Sequence, residues 1–368
     1  MAMMNTLSIT AIIPAHNRAQ YVGDAVESVL RQDRPVDEII VVDDGSSDGT
    51  GAVIDAFPQV RLISLPQSKG TSGARNAGLF AACGDVIAWL DSDDAWLPDH
   101  TSTAVAMLER YPSALVSFTS AEFFGDRRGF WPRPDVPEDQ PFDALSVAFS
   151  RTISTMSPAV TRRSAVVAIG GFDESLRSSV DFDLFLRLAL WGPFVSSARV
   201  TSRYRWHGNQ ISARPTQQLE SMYASRDRLL RSLVEGGRRD TAEVLGQELR
   251  ACWHDDLWLA HAKHDAEALA LLTHVAGTLP EISALAEPFG SESLALLRRY
   301  CRDRGRREVS EWPDAGAPRF LGRPRWLYAQ ALKAQLKYWS TRLTRRREEW
   351  LEPFMDAAIA RGRLETTR

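Results

Sequence analysis

Glu38-Ile39-Ile40-Val41-Val42-Asp43-Asp44-Gly45-Ser46-Ser47-Asp48 runs four apolar residues straight into an acidic turn. A short unbroken apolar run has no wet face, which is the pattern of a strand covered on both sides of a parallel sheet. The flanking sequence agrees. Ser8–Ala15 is a second such run, with Ile9, Ile12 and Ile13, ending at Pro14-Ala15-His16-Asn17. Between them, Tyr21, Val22, Ala25, Val26, Val29 and Leu30 recur at helical spacing. Downstream come a helix over 48–57, a strand over 60–65, a helix opened by Gly70-Thr71-Ser72-Gly73-Ala74-Arg75-Asn76, and a strand over 85–90. Strands alternating with helices of this length predict an α/β fold, a mostly parallel sheet with helices on both faces.

In such sheets ligands bind beyond the carboxyl ends of the strands. Three strands end there in polar clusters: Pro14-Ala15-His16-Asn17, Asp43-Asp44-Gly45-Ser46 and Asp91-Ser92-Asp93-Asp94. Five carboxylates on one edge repel one another unless a cation neutralises them. Carboxylate oxygens with no cysteine nearby suit Mg²⁺ or Mn²⁺, which in turn favour phosphate oxygens. No G-x-G-x-x-G follows the first strand, and no G-x-x-x-x-G-K-[ST] occurs in the chain. That weakens the dinucleotide and P-loop readings. Each cluster also has a plainer reading. Asp43–Ser46 would serve as a turn, and Asp91–Asp94 would cap the next helix, with Pro98 in its first turn.

The chain resembles a family 2 glycosyltransferase of GT-A fold. The resemblance is carried in order by Ile12–Asn17, Val41–Asp48, Gly73–Gly78 and Gly84–Asp94, then by Val180-Asp181-Phe182-Asp183-Leu184-Phe185-Leu186-Arg187-Leu188 and by Tyr204–Ser212. It implies inverting transfer from a nucleotide sugar, UDP-linked, to an acceptor hydroxyl of a glycan, lipid-linked or protein acceptor. Carried over, Pro14, His16 and Asn17 border the nucleoside, Asp43 binds the base, and Arg75 sits beside the same pocket. Asp91 and Asp93 face the donor. Asp93 and Asp94 hold Mn²⁺ or Mg²⁺, with His207 as a further ligand to metal or diphosphate. Asp181 is the general base. Val180 stands where the family often has an acid. The chemistry fits these roles: an attacking hydroxyl must lose a proton, and a leaving diphosphate gains charge. Ser178–Asp181 also reads as a capping box, and Asp183, two residues on, reads as structural.

The rest of the chain has a different texture. It has 368 residues, 44% hydrophobic and 25% charged, with a net charge of −3. These values exclude disorder and fibres and argue against a nucleic-acid coat. The three cysteines are at no metal or disulfide spacing, which suits a reducing, cytoplasmic setting. No secretory signal or membrane-length apolar run is visible. Residues 1–214 carry a net −6 and residues 215–368 a net +3. After residue 212 strand signals give way to Leu/Ala/Glu/Arg-rich stretches. A transferase domain over 1–212 and an α-helical region over 213–368 are therefore expected. Segment 318–347 has nine basic and no acidic residues, with an apolar stripe through Tyr328, Leu332, Leu336, Trp339 and Leu343. It suits either peripheral contact with an anionic membrane or packing on the catalytic domain. Phe123–Phe142 reads as a loop at the acceptor side, and His254, His261 and His264 as a solvated helix face. Two other functions compete: a degenerate nucleotide-sugar-binding scaffold, and a nucleotidyltransferase. The second lacks its glycine- and lysine-rich loop after the first strand.

Overall fold

Strand β1 (Ile9–Ala15) pairs in parallel with β2 (Glu38–Asp43), which pairs with β3 (Val60–Ser64); on its other side β1 pairs with β4 (Val86–Trp89). The computed structural model describes residues 6–130, 136–149, 155–207, 215–262 and 265–279. By contacts the chain divides into Met1–Arg302 and Asp303–Arg368, and every described residue lies in the first unit. Segment 318–347 therefore lies outside the described residues.

The apolar runs are explained by burial on both faces. Ile12, Ile40, Val42, Ile87 and Trp89 face one core, while Ile9, Ala11, Ile13, Ile39, Val41, Val86 and Ala88 face another. Alternate residues point to opposite sides, so each strand needs apolar residues throughout. The second core is covered by α1 (Val22–Leu30), α2 (Thr50–Ile54) and α4 (His100–Arg110). The first is covered by α3 (Gly70–Ala81), α5 (Leu145–Phe149), α6 (Arg163–Ala168) and α7 (Val180–Leu188). Helix α3 lies close on the sheet because Gly78 has no side chain: a Cβ there would stand 2.7 Å from Ile12 Cγ2. Gly78→Ala is expected to cost about 1–3 kcal/mol through overpacking, read as a fall in the unfolding midpoint.

The sheet is mixed in its second half. Its order is β3-β2-β1-β4-β9-β6-β10-β5, with β9 (Ala159–Arg162) antiparallel to both β4 and β6 (Val116–Gly125). Strand β10 (Phe194–Trp206) runs parallel to β6, and β5 (Ala95–Trp96) antiparallel to β10. Phe123–Phe142 is not simply a loop: β6 continues to Gly125, β7 (Gly129–Phe130) folds back on it, and β8 (Pro141–Phe142) pairs with β10. Along that long strand Phe118 joins the first core, while Ala121 and Phe123, an odd number of residues on, are buried on the opposite face. Trp131 lies outside the described residues.

The helical region begins with α8 (Pro215–Glu235), followed by α9 (Arg239–Ala262) and α10 (Ala266–Thr278). Leu219, Met222, Tyr223, Leu230, Leu245, Trp253 and Leu272 join the same core cluster as α5 and α7. Trp253 Nε1 donates to Leu272 O, and the Asp265 side chain caps α10 by accepting from Ala268 N. His254 and His261 fall on α9; their side chains, and His264, lie outside the described residues.

Candidate active site

The polar strand ends come together beyond β1, β2 and β4. Register places Ala15 beside Asp43 and Ile12 beside Trp89, so residues just past those positions share one edge. Chain reversal needs left-handed backbone at Asn17 (φ 51) and Gly45 (φ 70). A Cβ on Gly45 would also stand 2.9 Å from Ser68 N. His16 Nδ1 contacts Asp44 O at 2.7 Å, and Asn17 Oδ1 accepts from Ser47 N at 2.9 Å. Pro14 is half-buried in β1, whereas His16 and Asn17 are exposed.

The five carboxylates do five different things. Asp43 is buried and its Oδ1 accepts from Ser46 N at 3.0 Å, so the turn reading is right in part. Asp44 reaches the start of α3, accepting from Lys69 N at 2.6 Å, Gly70 N at 2.9 Å and Ser68 Oγ at 2.6 Å. Its charge thereby meets the positive end of that helix. Asp91 pairs with Arg75 Nη2 at 2.6 Å. Asp93 Oδ2 lies 3.0 Å from His207 Nε2 and 3.5 Å from Arg18 Nε. Asp94 is 1% exposed and accepts from Ser157 Oγ at 2.5 Å and Arg205 N at 2.8 Å. Burial, then the charges of Asp93 and Asp91, push its carboxyl well above the usual range. None of Asp91–Asp94 caps α4, which begins at His100. The chain thus supplies much of its own counter-charge, through Arg18, Arg75 and backbone N–H groups.

Arg75 is buried, with its guanidinium 5.3 Å from the Phe172 ring centroid and its Nε without a partner. It lies close enough to Asp181 to lower that carboxyl's pKa, and Asp91 close enough to raise it. Burial outweighs both, and Asp181 is pushed up to about 6. Its side chain still keeps some open surface. Asp181 Oδ1 accepts from Phe182 N at 2.8 Å. The capping box is not formed: Ser179, at the N-cap of α7, is left-handed (φ 51) and its side chain makes no capping bond. Asp183 is structural as expected, buried against Arg187 Nε at 2.8 Å.

His207 stacks on Tyr21, ring centroids 5.3 Å apart. Beside it, Arg205 Nε donates to Asp93 O, and its guanidinium covers Tyr21 at 4.8 Å. Sequence reasoning missed Arg18, Tyr21, Ser157 and Arg205. Arg18 adjoins the quoted Asn17 and Arg205 lies within the quoted Tyr204–Ser212, so both were in view. Ser157 carries no local signal.

Among the described residues no group of three or more acidic, histidine or cysteine side chains is spaced to hold an ion. The Asp93 carboxylate and His207 imidazole do converge, and two protein donors fit a cation that takes the rest of its shell from phosphate and water.

Residues 10–170 match the family model described as Glycosyl transferase family 2. The succinoglycan biosynthesis protein ExoO of Rhizobium meliloti (strain 1021) is 44% identical over 108 residues, 29% of this chain and 30% of that protein. The putative teichuronic acid biosynthesis glycosyltransferase TuaG of Bacillus subtilis (strain 168) is 37% identical over 116 residues, 30% of this chain and 45% of that protein. The chain thus spans less than half the length of either relative. The structure of S. aureus TarS 1-349 in complex with UDP-GlcNAc superposes with a TM-score of 0.62 at 19% identity, over 80% of this chain and 87% of that one. Residues 10–170 are thus similar to glycosyl transferase family 2, and the fold is GT-A-like.

Proposed function

We propose that the chain moves a sugar from a UDP-linked nucleotide sugar to an acceptor hydroxyl, with inversion at the anomeric carbon. The observation that carries this reading is the Asp181 carboxyl, pushed up to about 6 beside the Arg75–Asp91 pair. A base whose pKa lies near the working pH takes a proton efficiently. Asp43, at the end of β2, accepts from the ring N–H of the nucleobase, with Pro14, His16 and Asn17 around the nucleoside. Arg75, held by Asp91, faces the donor. Asp181 takes the acceptor's proton as its oxygen bonds to the anomeric carbon and the carbon–oxygen bond to the diphosphate breaks. Asp93 and His207 would hold Mn²⁺ or Mg²⁺, which supplies Lewis-acid stabilisation of the leaving diphosphate. Asp94 acts in this scheme through its bonds to Ser157 and Arg205, which hold the turn bearing Asp93.

The two relatives named for succinoglycan and teichuronic acid biosynthesis support a growing polysaccharide or other glycoconjugate as acceptor, made at the cell envelope. No described helix is long and apolar enough to cross a membrane. The basic, amphipathic sequence of 318–347 supports peripheral contact with an anionic membrane from the cytoplasmic side. In domain terms, 1–212 would carry transfer and 213–368 the helical support. A panel of nucleotide sugars tests the reading by nucleotide release with and without Mn²⁺, followed by NMR of the product's anomeric proton. Release from a UDP-sugar in the presence of the ion, with an inverted product, is expected. UDP binding without turnover would favour the scaffold reading instead, and diphosphate exchange with UTP the nucleotidyltransferase.

A further inference from the structure

Helix α7, which carries Asp181, starts in an unfavourable way. Its N-cap Ser179 holds a left-handed backbone (φ 51) without a side-chain cap, a conformation that persists only where surroundings over-determine it. The surroundings come from α8. Ser178 Oγ donates to Gln217 O at 2.8 Å, and Ser179 Oγ to Gln218 O at 3.3 Å. Arg228 of α8 spans two carboxylates, Asp183 at 3.2 Å and Asp173 at 2.5 Å.

Two residues earlier on α8, Arg226 is wholly buried. Its Nε and Nη2 donate to Phe149 O at 3.1 and 2.9 Å, and its Nη1 has no partner. The guanidinium lies 5.2 Å from the centroids of both Phe182 and Tyr223. A buried cation without a carboxylate partner costs stability relative to an apolar side chain, so stability alone is a poor account of it. Phe182 follows Asp181 directly, and its N–H is the donor to Asp181 Oδ1.

We propose that α8 is a positioning element of the reaction: Arg226, Arg228 and the carbonyls of Gln217 and Gln218 set the start of α7 and so aim the Asp181 carboxyl. The inference rests on Asp181 as the base. It makes the helical region part of the catalytic apparatus, although none of its described residues need touch substrate. Misplacing a reacting group by about 1 Å can cost on the order of 100-fold in rate.

The test uses the full chain. Arg228 is half-exposed, so Arg228→Gln leaves no buried hole. It is expected to lower kcat about ten-fold with UDP affinity unchanged within about two-fold, and Arg228→Lys to recover part of the loss. Ser178→Ala, which removes a hydroxyl without stranding a charge, is expected to give the same split at smaller size and carries the test if Arg228→Gln does not fold. A kcat within two-fold of the parent in both variants, or parallel losses of kcat and UDP affinity, would overturn the proposal. Asp181→Asn measured alongside separates the two claims. If that variant stays active the base assignment fails; if it is inactive while Arg228→Gln and Ser178→Ala are not, only the positioning role of α8 fails.

Discussion

Replacing Asp181 by asparagine is expected to lower turnover by about 10²–10⁴-fold, the range a positioned general base contributes, while making the protein more stable at neutral pH. The two effects have one cause. The carboxyl has an ordinary value of 3.8 when unfolded and about 6 when folded. The folded state therefore binds more protons between those limits, and stability is lost as pH rises through them. Above about pH 6 the whole penalty is present. A shift of about two units corresponds to roughly 3 kcal/mol at most, and the residual solvent exposure of Asp181 reduces it to about 1–3 kcal/mol. Asparagine removes the charge and the penalty. Thermal unfolding of both proteins at pH 7.5 and pH 4 checks this, since the gap should shrink toward zero at the lower pH. The parent's kcat should fall below about pH 6 as Asp181 takes up a proton. Lower stability of the variant at pH 7.5, or an unchanged rate, would contradict the account.

Asp93→Ala is the second large effect. Asp93 meets both His207 and Arg18, and its backbone carbonyl is held by Arg205. Removing the carboxylate leaves Arg18 without that partner and takes away one of two donors to the proposed ion. Loss of one group that stabilises transition-state charge costs about 10²–10³-fold. The same loss is expected when the parent is treated with EDTA, with Mn²⁺ restoring the parent and not the variant. Asp94→Asn should behave differently. Its partners are Ser157 and Arg205 N, both within the protein, so it should act through the placement of the turn, with a smaller loss and retained response to Mn²⁺.

The first half of the fold was legible because burial on both faces demands unbroken apolar runs, as in Ile39–Val42, and because Asp43–Ser46 carries turn residues. The second half was harder. Strand β9 is four residues long and inserts antiparallel between β4 and β6; nothing in Ala159–Arg162 declares its direction, which long-range pairing decides. Of the candidate site, the clustering of Asp43, Asp91 and Asp93 followed from strand ends sharing an edge. The division of labour among the acids did not, because it depends on partners distant in sequence: Ser157 for Asp94, Lys69 and Gly70 for Asp44, His207 for Asp93. Ser178–Asp181 had the letters of a capping box, yet its hydroxyls turn outward to α8. A local motif lost to a tertiary contact there.

Calorimetric titration of UDP into the full chain, with and without Mn²⁺, tests the central claim most directly: that the polar rim beyond β1, β2 and β4 is a cation-assisted diphosphate site. Binding should need the ion, be lost in Asp93→Ala and survive in Asp181→Asn. UDP binding that is equally strong without any divalent ion, or indifferent to Asp93→Ala, would contradict it.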